Sequence, residues 1–326
     1  MELILAKEDG AEEKRIYDDM DIDLGEDNDF ELSVPYSAWD GSCTFGKRIY
    51  VPNTEYGGII RETESITGDR EIYARGYTWR GMLQKKILRP ESGQDYLTAS
   101  GELNTIIKSL VEETLPGLFY AETEDTGKGV SGYQFDRYCT LLDGLEDMLA
   151  SVEYKLRIQY IQTETSGYVR VGAVPAEDYS DSIEISQDGR LNFTSRDYRR
   201  GVNHLVCLGK GDLKDRIVVD LYAQPDGSVT ETPYYTGIEE IAEVYDSNNS
   251  EKDDLVDGGT KRLQDLMDYQ KLTANASESE DIDIDIGDTI SGRDYITGIY
   301  IKKPVTHKIL RIKNQRISVE YGVEGE

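Results

Sequence analysis

Two glycine-rich stretches come nearest to a phosphate-binding motif in this sequence. Residues 127–132 read G-K-G-V-S-G and match the G-x-G-x-x-G pattern of dinucleotide sites. That pattern binds pyrophosphate only where a strand leads in and a helix N-terminus follows. Here the lead-in is residues 122–126, E-T-E-D-T, whose acids would repel phosphate. We therefore interpret 127–132 as a flexible glycine turn.

The second stretch, residues 41–47, reads G-S-C-T-F-G-K and nearly matches a P-loop. The position that must supply a magnesium-binding hydroxyl is Arg48. Residues 49–52 that follow predict a strand, whereas a P-loop opens a helix. The pattern thus favours a loop of a β-hairpin over a nucleotide site.

Alternating acids suggest calcium, because positions 1, 3 and 5 of an EF-hand loop are filled by Asp281, Asp283 and Asp285. The glycine required at position 6 is Ile286, and the bidentate glutamate required at position 12 is Gly292. The similar run 19–23 fails in the same way. Strands of period two with one acidic face explain both runs, so we predict no metal and no cofactor.

Nothing in the sequence assembles a nucleophile and a base. There is no G-x-S-x-G or H-E-x-x-H motif, and the two histidines, His204 and His307, lie far apart. Cys207 is three residues from His204, and on a strand an odd offset places two side chains on opposite faces. Glycosidases need only two carboxylates, but nothing singles out a pair among 64 acids. We predict a protein that is not an enzyme.

The charge balance excludes several partners. The 326 residues hold 64 Asp and Glu against 36 Lys and Arg, a net charge of −28. Binding to nucleic acid or to an anionic membrane requires clustered basic residues, which this balance disfavours.

No segment reaches the ~20 apolar residues of a membrane span. The first residues lack the basic start of a signal peptide, and the three cysteines (Cys43, Cys139, Cys207) are too widely spaced for a disulfide framework. We expect synthesis in a reducing bacterial cytoplasm.

One segment opposes the global charge. Between residues 300 and 319 there is no acid, and the basic residues are Lys302, Lys303, Lys308, Arg311, Lys313 and Arg316. A solvated strand face is one interpretation. The other is a cationic contact between subunits, meeting the region 1–31 of another copy, which carries thirteen acids and three basic residues.

Hydrophobic periodicity divides the chain into β-rich and mixed parts. Residues 1–92 contain many short strands with regular turns, as in a sandwich or barrel, followed by one short helix over 79–88. Residues 93–176 predict a small α+β unit with helices over 103–115 and 141–152 and a hairpin around Ser166-Gly167. The length itself favours two or more domains.

The second half returns to strands. We predict strands over 183–222, with 217–222 the most buried because it is the most apolar. Residues 225–280 are polar and contain a helix around Leu263, and strands resume over 281–326. A faint repeat links the two halves, since D-I-D-L-G-E at 21–26 echoes D-I-D-I-G-D at 283–288. A later echo in the same order suggests two related β units.

Three segments carry a resemblance to a known family. They are the strand-to-helix junction 73–83, the stretch 203–219 (N-H-L-V-C-L-G-K-G to R-I-V-V), and 286–309 with its I-G-D, T-G-I and V-T-H-K-I runs. In this order they resemble bacteriophage tail hubs of the siphophage and PBSX-type baseplate hub group, akin to the trimeric hubs of contractile tails. The resemblance covers nearly the whole chain.

This resemblance implies a mainly β fold with α+β insertions. Two tube-like β-barrel domains related by duplication would be joined by small α/β segments. The first barrel would take 1–92 and the second 177–224 with 282–326. An α+β insertion would take 93–176, and a polar helix-containing insertion 225–281.

The resemblance also implies a function in the virion. Three copies would place six barrels in a ring that joins the tail tube, or a distal tail protein, to a tip, spike or fibre protein. DNA would pass through the channel without specific binding. An acidic wall suits such a channel because it repels phosphate, and Asp281, Asp283 and Asp285 are the candidate wall residues. A particle that passes no DNA could use the same hub. The alternatives are a cell-wall-degrading tail enzyme and a receptor- or carbohydrate-binding β protein.

Overall fold

The computed structural model describes residues 2–181, 184–186, 192–277 and 284–325. The chain is mainly β and forms two compact units. Unit 1 comprises Met1–Phe193, Thr273–Gly292 and Lys302–Val323. Unit 2 comprises Thr194–Leu272, Arg293–Ile301 and Glu324–Glu326.

The elements follow one another along the chain as short strands interrupted by helices. To residue 175 they are β1 (Leu3–Ala6), β2 (Glu12–Ile16), β3 (Asp19–Leu24), β4 (Asp29–Pro35), β5 (Arg48–Tyr50), β6 (Gly57–Ile66), β7 (Glu71–Thr78), α1 (Trp79–Gln84), β8 (Thr98–Glu102), α2 (Leu103–Thr114), β9 (Phe119–Ala121), β10 (Gly129–Gln134), α3 (Leu141–Ala150), β11 (Tyr154–Gln162) and β12 (Gly167–Pro175). The rest are β13 (Glu184–Ser186), β14 (Asn192–Tyr198), β15 (His204–Leu208), β16 (Val218–Ala223), β17 (Val229–Thr230), β18 (Ala242–Asp246), α4 (Lys252–Gln264), β19 (Tyr269–Ser277), β20 (Thr289–Arg293), β21 (Tyr300–Pro304), β22 (His307–Lys313) and β23 (Arg316–Gly325).

A long antiparallel sheet organises unit 1, with the order β23-β22-β3-β4-β7-β6-β5-β1-β2. Strand β3 shows why the sheet has two different faces: Met20, Ile22 and Leu24 are buried, and the aspartates between them point outward. The buried side chains of eight of these strands, β1 to β7 and β22, form one hydrophobic cluster. The sheet therefore curves around a common core, as barrels do.

The segment between β7 and β13, which contains the predicted α+β insertion 93–176, packs its own core against one part of this sheet. Its helices present one apolar face each, and Leu103, Ile107 and Val111 of α2 are fully buried. Strands β9, β12 and β11 form a small sheet beside them. Ile4 and Ile59 of the long sheet belong to the same core as these helices.

Helix α2 begins at an N-cap glutamate whose carboxylate accepts three backbone N–H groups. Glu102 accepts from Asn104 at 3.0 Å, from Thr105 at 2.7 Å and from Thr126 at 3.0 Å. Burial by itself would raise the pKa of Glu102, but these donors lower it to about 2. The cap therefore stabilises the folded chain fully above the ordinary glutamate pKa near 4.5, and this stabilisation disappears as the pH falls towards 2.

We expect Glu102→Ala to lower the free energy of unfolding by about 1 kcal/mol at neutral pH, the usual worth of an N-cap. The difference from the wild type should shrink between pH 4.5 and about 2, where the Glu102 carboxylate takes up its proton. Urea unfolding at a series of pH values measures it. Glu113→Ala, at an exposed position on the same helix, is the control. A Glu102→Ala deficit that does not depend on pH would contradict the capping role.

Unit 2 is built around a smaller sheet, β17-β16-β15-β18, covered on one face by α4. Leu205 and Cys207 of β15 pack with Leu255 and Leu263 of α4 in one buried cluster. The predicted strand 217–222, expected to be the most buried, has one buried side: Val219 and Leu221 pack in the cluster beneath α4, but Val218 is 51% exposed.

Two elements differ from the sequence-based boundaries. Strand β22, assigned to a second barrel, pairs with β3 of the first sheet, Leu310 opposite Ile22. The sequence predicts a strand over 281–286, but its described part, 284–286, belongs to a turn over 284–288 in which Gly287 has a φ of +95°. The related Gly25 has a φ of +100° and lies against Ile286. The two echoing segments thus meet in space, and the duplication of the barrel stays a prediction.

Candidate functional site

The outward side of the long sheet in unit 1 carries an open acidic face. It consists of the outward-pointing carboxylates of β3, β4 and the second half of β6, namely Asp19, Asp21, Asp23, Asp29, Glu31, Glu62 and Glu64. The register shift between Ile60 and Glu62 is what turns Glu62 outward, since Ile60 is buried in the core.

One arginine lies among these acids and binds three of them. Arg75 of β7 stands opposite Glu31 on one side and Glu62 on the other. Its guanidinium lies 2.6 Å from Glu31, 3.0 Å from Glu62 and 2.7 Å from Glu64. The hydrogen bonds that Arg75 donates to Glu64 and Glu31 raise the pKa of Arg75 above its ordinary value. Carboxylates therefore outnumber cations here, and the face stays strongly negative.

The acidic face ends where the α+β insertion begins to cover the sheet. Ile4, Ala6, Tyr50 and Ile59 point to the same outward side in β1, β5 and β6, but they are buried in the core of the insertion. The outward side is thus divided into a covered apolar half and an open charged half. Only the open half is available to a partner or to solvent.

A buried ionic cluster lies at the end of the same sheet. It consists of three cations and four carboxylates, namely Arg80, Lys155, Lys308, Glu55, Glu146, Asp285 and Asp288. Arg80 is 2% exposed and contacts Glu55 at 3.0 Å and Glu146. Glu55 lies 4.0 Å from Lys308.

Lys308 and Lys155 share the remaining carboxylates of this cluster. Lys308 lies 2.9 Å from Asp285, and Lys155 lies 3.4 Å from Asp285 and 2.6 Å from Asp288. The fully buried Asp288 also accepts the backbone N–H groups of Asp285 at 2.9 Å and Glu177 at 2.8 Å. Strand β22 is thereby tied to the hairpin β11–β12 and to the turn 284–288.

The pKa shifts in the cluster follow from burial and from its pairing. Burial opposes the charged form of Lys308, yet Tyr56, Glu55 and Asp285 together raise the pKa of Lys308 above its ordinary value. Burial would raise the pKa of Asp285, but Lys308 and Lys155 lower it on balance. Burial also raises the pKa of Glu146. The cluster keeps Lys308 protonated and Asp285 ionised at neutral pH.

The structure describes one of the three predicted wall residues, Asp285. Asp281 and Asp283 lie outside the described residues. Asp285 does not lie on a strand; it is in the turn 284–288 and is held by two lysines. Asp285 therefore does not belong to an acidic strand face.

Most of the predicted cationic segment has partners within its own chain. Lys302 binds Asp178 at 2.9 Å, Arg311 binds Glu320 at 2.7 Å, and Lys313 lies 3.3 Å from Asp21. Lys308 is buried in the ionic cluster, and Lys303 also has a contact partner. Arg316 is exposed at the β22–β23 turn and forms no ion pair within the described parts of the chain. Lys308 is thus engaged within its own chain, and a contact of this basic segment with another copy stays a prediction.

Neither glycine-rich stretch leads into a helix, and the interpretation of 127–132 as a glycine turn is wrong from Gly129 onward. Strand β10 begins within 127–132, and the chain continues as a strand, without a helix N-terminus. Strand β5 follows 41–47, as predicted, but it pairs with β1 and β6, so the loop does not belong to a hairpin with β4. The helix that a nucleotide site needs is missing in both places.

The opposite orientation of His204 and Cys207 is confirmed. Cys207 is buried beneath α4, whereas His204 points to the other face and stacks on Tyr222 at 4.3 Å. Its Nε2 lies 2.9 Å from Asp220 and its Nδ1 2.6 Å from Glu240. Among the described residues no group of three or more His, Cys, Asp or Glu side chains is arranged to hold a metal. No described helix is long and apolar enough to span a membrane.

Comparison with known proteins finds matches in structure only. No protein-family model matches the chain, and no curated protein does so. A tail protein from Neisseria meningitidis MC58 matches 100% of this chain and 97% of its own, with a TM-score of 0.52 and 14% identity. The 43 kDa tail protein of prophage MuSo2 from Shewanella oneidensis matches 99% and 98%, with a TM-score of 0.55 and 12% identity. The chain thus has the fold of these tail proteins along its full length.

Proposed function

We propose that the chain is a structural hub of a phage tail or baseplate. Three copies form a ring of barrels that joins the tail tube to the tail tip and surrounds the central channel. The full-length structural match to two tail proteins carries this proposal. The mainly β architecture and the acidic face support it.

The role is mechanical and not catalytic. His204, the histidine nearest to a cysteine in sequence, is held between two carboxylates and faces away from Cys207. A peptidoglycan-release assay tests the enzymatic alternative. Turnover that one Asp or Glu substitution abolishes would overturn the structural role.

Mass measurement in solution, alone and with the tail-tube protein, tests the hub itself. We expect a trimer, or a monomer that becomes a trimer when the tube protein is added. An unrelated acidic protein of similar size in place of the tube protein serves as the control. A stable monomer that ignores the tube protein would contradict the proposal.

We further propose that the acidic face is part of the channel wall, in addition to the candidate wall residues Asp281, Asp283 and Asp285. Asp29, Glu62 and Glu64 are exposed and the other acids of the face are half-buried, whereas the other half of the same sheet side is covered by the insertion. Phosphates that pass such a wall are repelled and are not retained, so DNA slides without sticking.

Reversing two charges on the acidic face should slow DNA ejection. In tails that carry Glu62→Lys and Glu64→Lys, we expect ejection at low salt to slow by about tenfold or more and to recover as salt screens the new contacts. Ejection is followed by DNA fluorescence, and assembly is checked by electron microscopy. Glu91→Lys with Asp95→Lys, two exposed acids between α1 and β8, changes the net charge equally and is the control. Equal ejection rates in both variants would remove the acidic face from the channel.

A further inference from the structure

Unit 2 contains a small pocket that the hub function does not use. We call it the Tyr235 pocket. It has a volume of about 230 Å³ and lies between the end of β14, the β16–β17 turn and the start of β19. Its lining combines two aromatic rings and a methionine with charged side chains, namely Tyr235, Tyr269, Met267, Asp197, Arg199 and Asp268.

The aromatic and apolar part of the pocket is held in place before any ligand arrives. Tyr269 stacks on Tyr198 with ring centroids 5.0 Å apart, and its hydroxyl is 3.2 Å from Arg196. Met267 is buried in the core of unit 2. A fixed ring loses little conformational entropy when a ligand packs on it, which favours binding.

The polar part offers both donors and acceptors in fixed positions. Arg199 binds Asp197 at 2.7 and 3.2 Å through two nitrogens, so the two side chains orient one another. Asp268 accepts the N–H of Gly201 at 2.8 Å through Oδ1. Each carboxylate oxygen can accept more than one bond, and a guanidinium has five N–H donors. Unused acceptors and donors therefore remain for a ligand that offers hydroxyl groups.

The charge of the lining argues against anionic ligands. Two aspartates face one arginine, which is already committed to Asp197. A phosphate or an acidic sugar would meet net negative charge, and a bare metal ion would find only two carboxylates. The volume is below the ~300–1,000 Å³ typical of sites for drug-sized ligands, so the pocket takes one ring.

We propose that the Tyr235 pocket binds a single neutral sugar ring, an uncharged pyranose at the end of a surface glycan. A pyranose has an apolar C–H face that packs on a tyrosine ring, and hydroxyls that both donate and accept hydrogen bonds. Tyr235 and Tyr269 provide the aromatic surface. Asp268 and the Asp197–Arg199 pair bind the hydroxyls.

Saturation-transfer NMR on the full chain tests this proposal with glucose, galactose and N-acetylglucosamine at ~10 mM each. We expect at least one of them to bind with a Kd on the order of 1 mM, as for a small weak site. Sialic acid, which is anionic, should give no transfer. Absence of transfer from all three neutral sugars overturns the proposal.

Matched variants locate the binding. Tyr235→Ala should weaken binding of the responsive sugar by about tenfold, the loss of one aromatic contact of ~1.4 kcal/mol. Tyr234→Ala is the control, because the Tyr234 ring touches Tyr235 edge-on, 5.0 Å between centroids, but does not line the pocket. Arg199→Ala should also weaken binding, and its side chain is 68% exposed, so folding is spared. Equal binding by the wild type, Tyr235→Ala and Arg199→Ala would place the sugar elsewhere and overturn the assignment.

Discussion

Replacing Lys308 by methionine should lower the free energy of unfolding of unit 1 by about 3–5 kcal/mol, the usual cost of breaking a buried ion pair. The Lys308 side chain is 6% exposed, and its ammonium lies 2.9 Å from Asp285 and 4.0 Å from Glu55. Methionine fills most of the space but leaves both carboxylates without this cation. Because both tryptophans, Trp39 and Trp79, lie in unit 1, tryptophan fluorescence during urea unfolding measures the loss directly.

The same substitution on the surface of the same strand provides the control. Lys313 is 59% exposed and lies 3.3 Å from Asp21, so Lys313→Met should change stability by no more than about 1 kcal/mol. Acid should reduce the difference between Lys308→Met and the wild type. Asp285 has a lowered pKa, so its pairing stabilises the fold above pH 3.8 and is lost as the pH falls through the lowered pKa. Similar losses for Lys308→Met and Lys313→Met at pH 7 would contradict the buried cluster.

Replacing Trp79 by alanine should lower the free energy of unfolding by about 3–5 kcal/mol, as large-to-small substitutions in cores do. Trp79 begins α1 and is fully buried, stacked on Tyr160 with centroids 5.0 Å apart. Tyr160 in turn contacts Tyr50 of the long sheet at 4.1 Å. The cavity that the alanine substitution leaves would therefore lie between the long sheet and the insertion. Far-UV circular dichroism during urea unfolding follows this variant, which has lost one of its fluorophores.

Trp79→Phe is the matched control for ring packing. The indole Nε1 is buried and has no hydrogen-bond partner among the described residues. Phenylalanine keeps a stacked ring and removes an unsatisfied donor, so we expect a net loss of less than about 1.5 kcal/mol. If Trp79→Phe destabilises the fold as much as Trp79→Ala, the stabilisation depends on the indole itself and not on filling the space between the long sheet and the insertion.

Local periodicity was sufficient for the elements that a single stretch of sequence defines. The apolar spacing of 103–115 predicts a helix, and α2 spans Leu103–Thr114. The alternation at 19–24 predicts a strand with an acidic side, and β3 has that pattern. The opposite faces of His204 and Cys207 follow from the strand period alone. These features depend on neighbours within a few residues, where backbone geometry fixes which side chains share a face.

Pairing between distant segments was not predictable in the same way. Strand β22 reads equally well as part of a second barrel, because alternation specifies a face but not a partner strand. Residues 284–286 resemble residues 22–24 of β3 in sequence, yet Asp288 folds back to accept the N–H of Asp285. A carboxylate that bonds nearby backbone N–H groups competes with strand pairing, and the local pattern does not show which interaction prevails.

The sequence by itself determined that this protein is acidic, mainly β and without a linear catalytic or nucleotide motif, because composition and short-range periodicity carry that information. Only the tertiary structure decided what each charge does. Lys302 and Lys313 lie on the surface, Lys308 is buried under Tyr56 and Tyr321, and all belong to one basic run. The acids of β3, β4 and β6 became one open face only when the strands were placed side by side. The physical reason is that burial and ion pairing depend on strand order and register, which are set by contacts across the whole sheet.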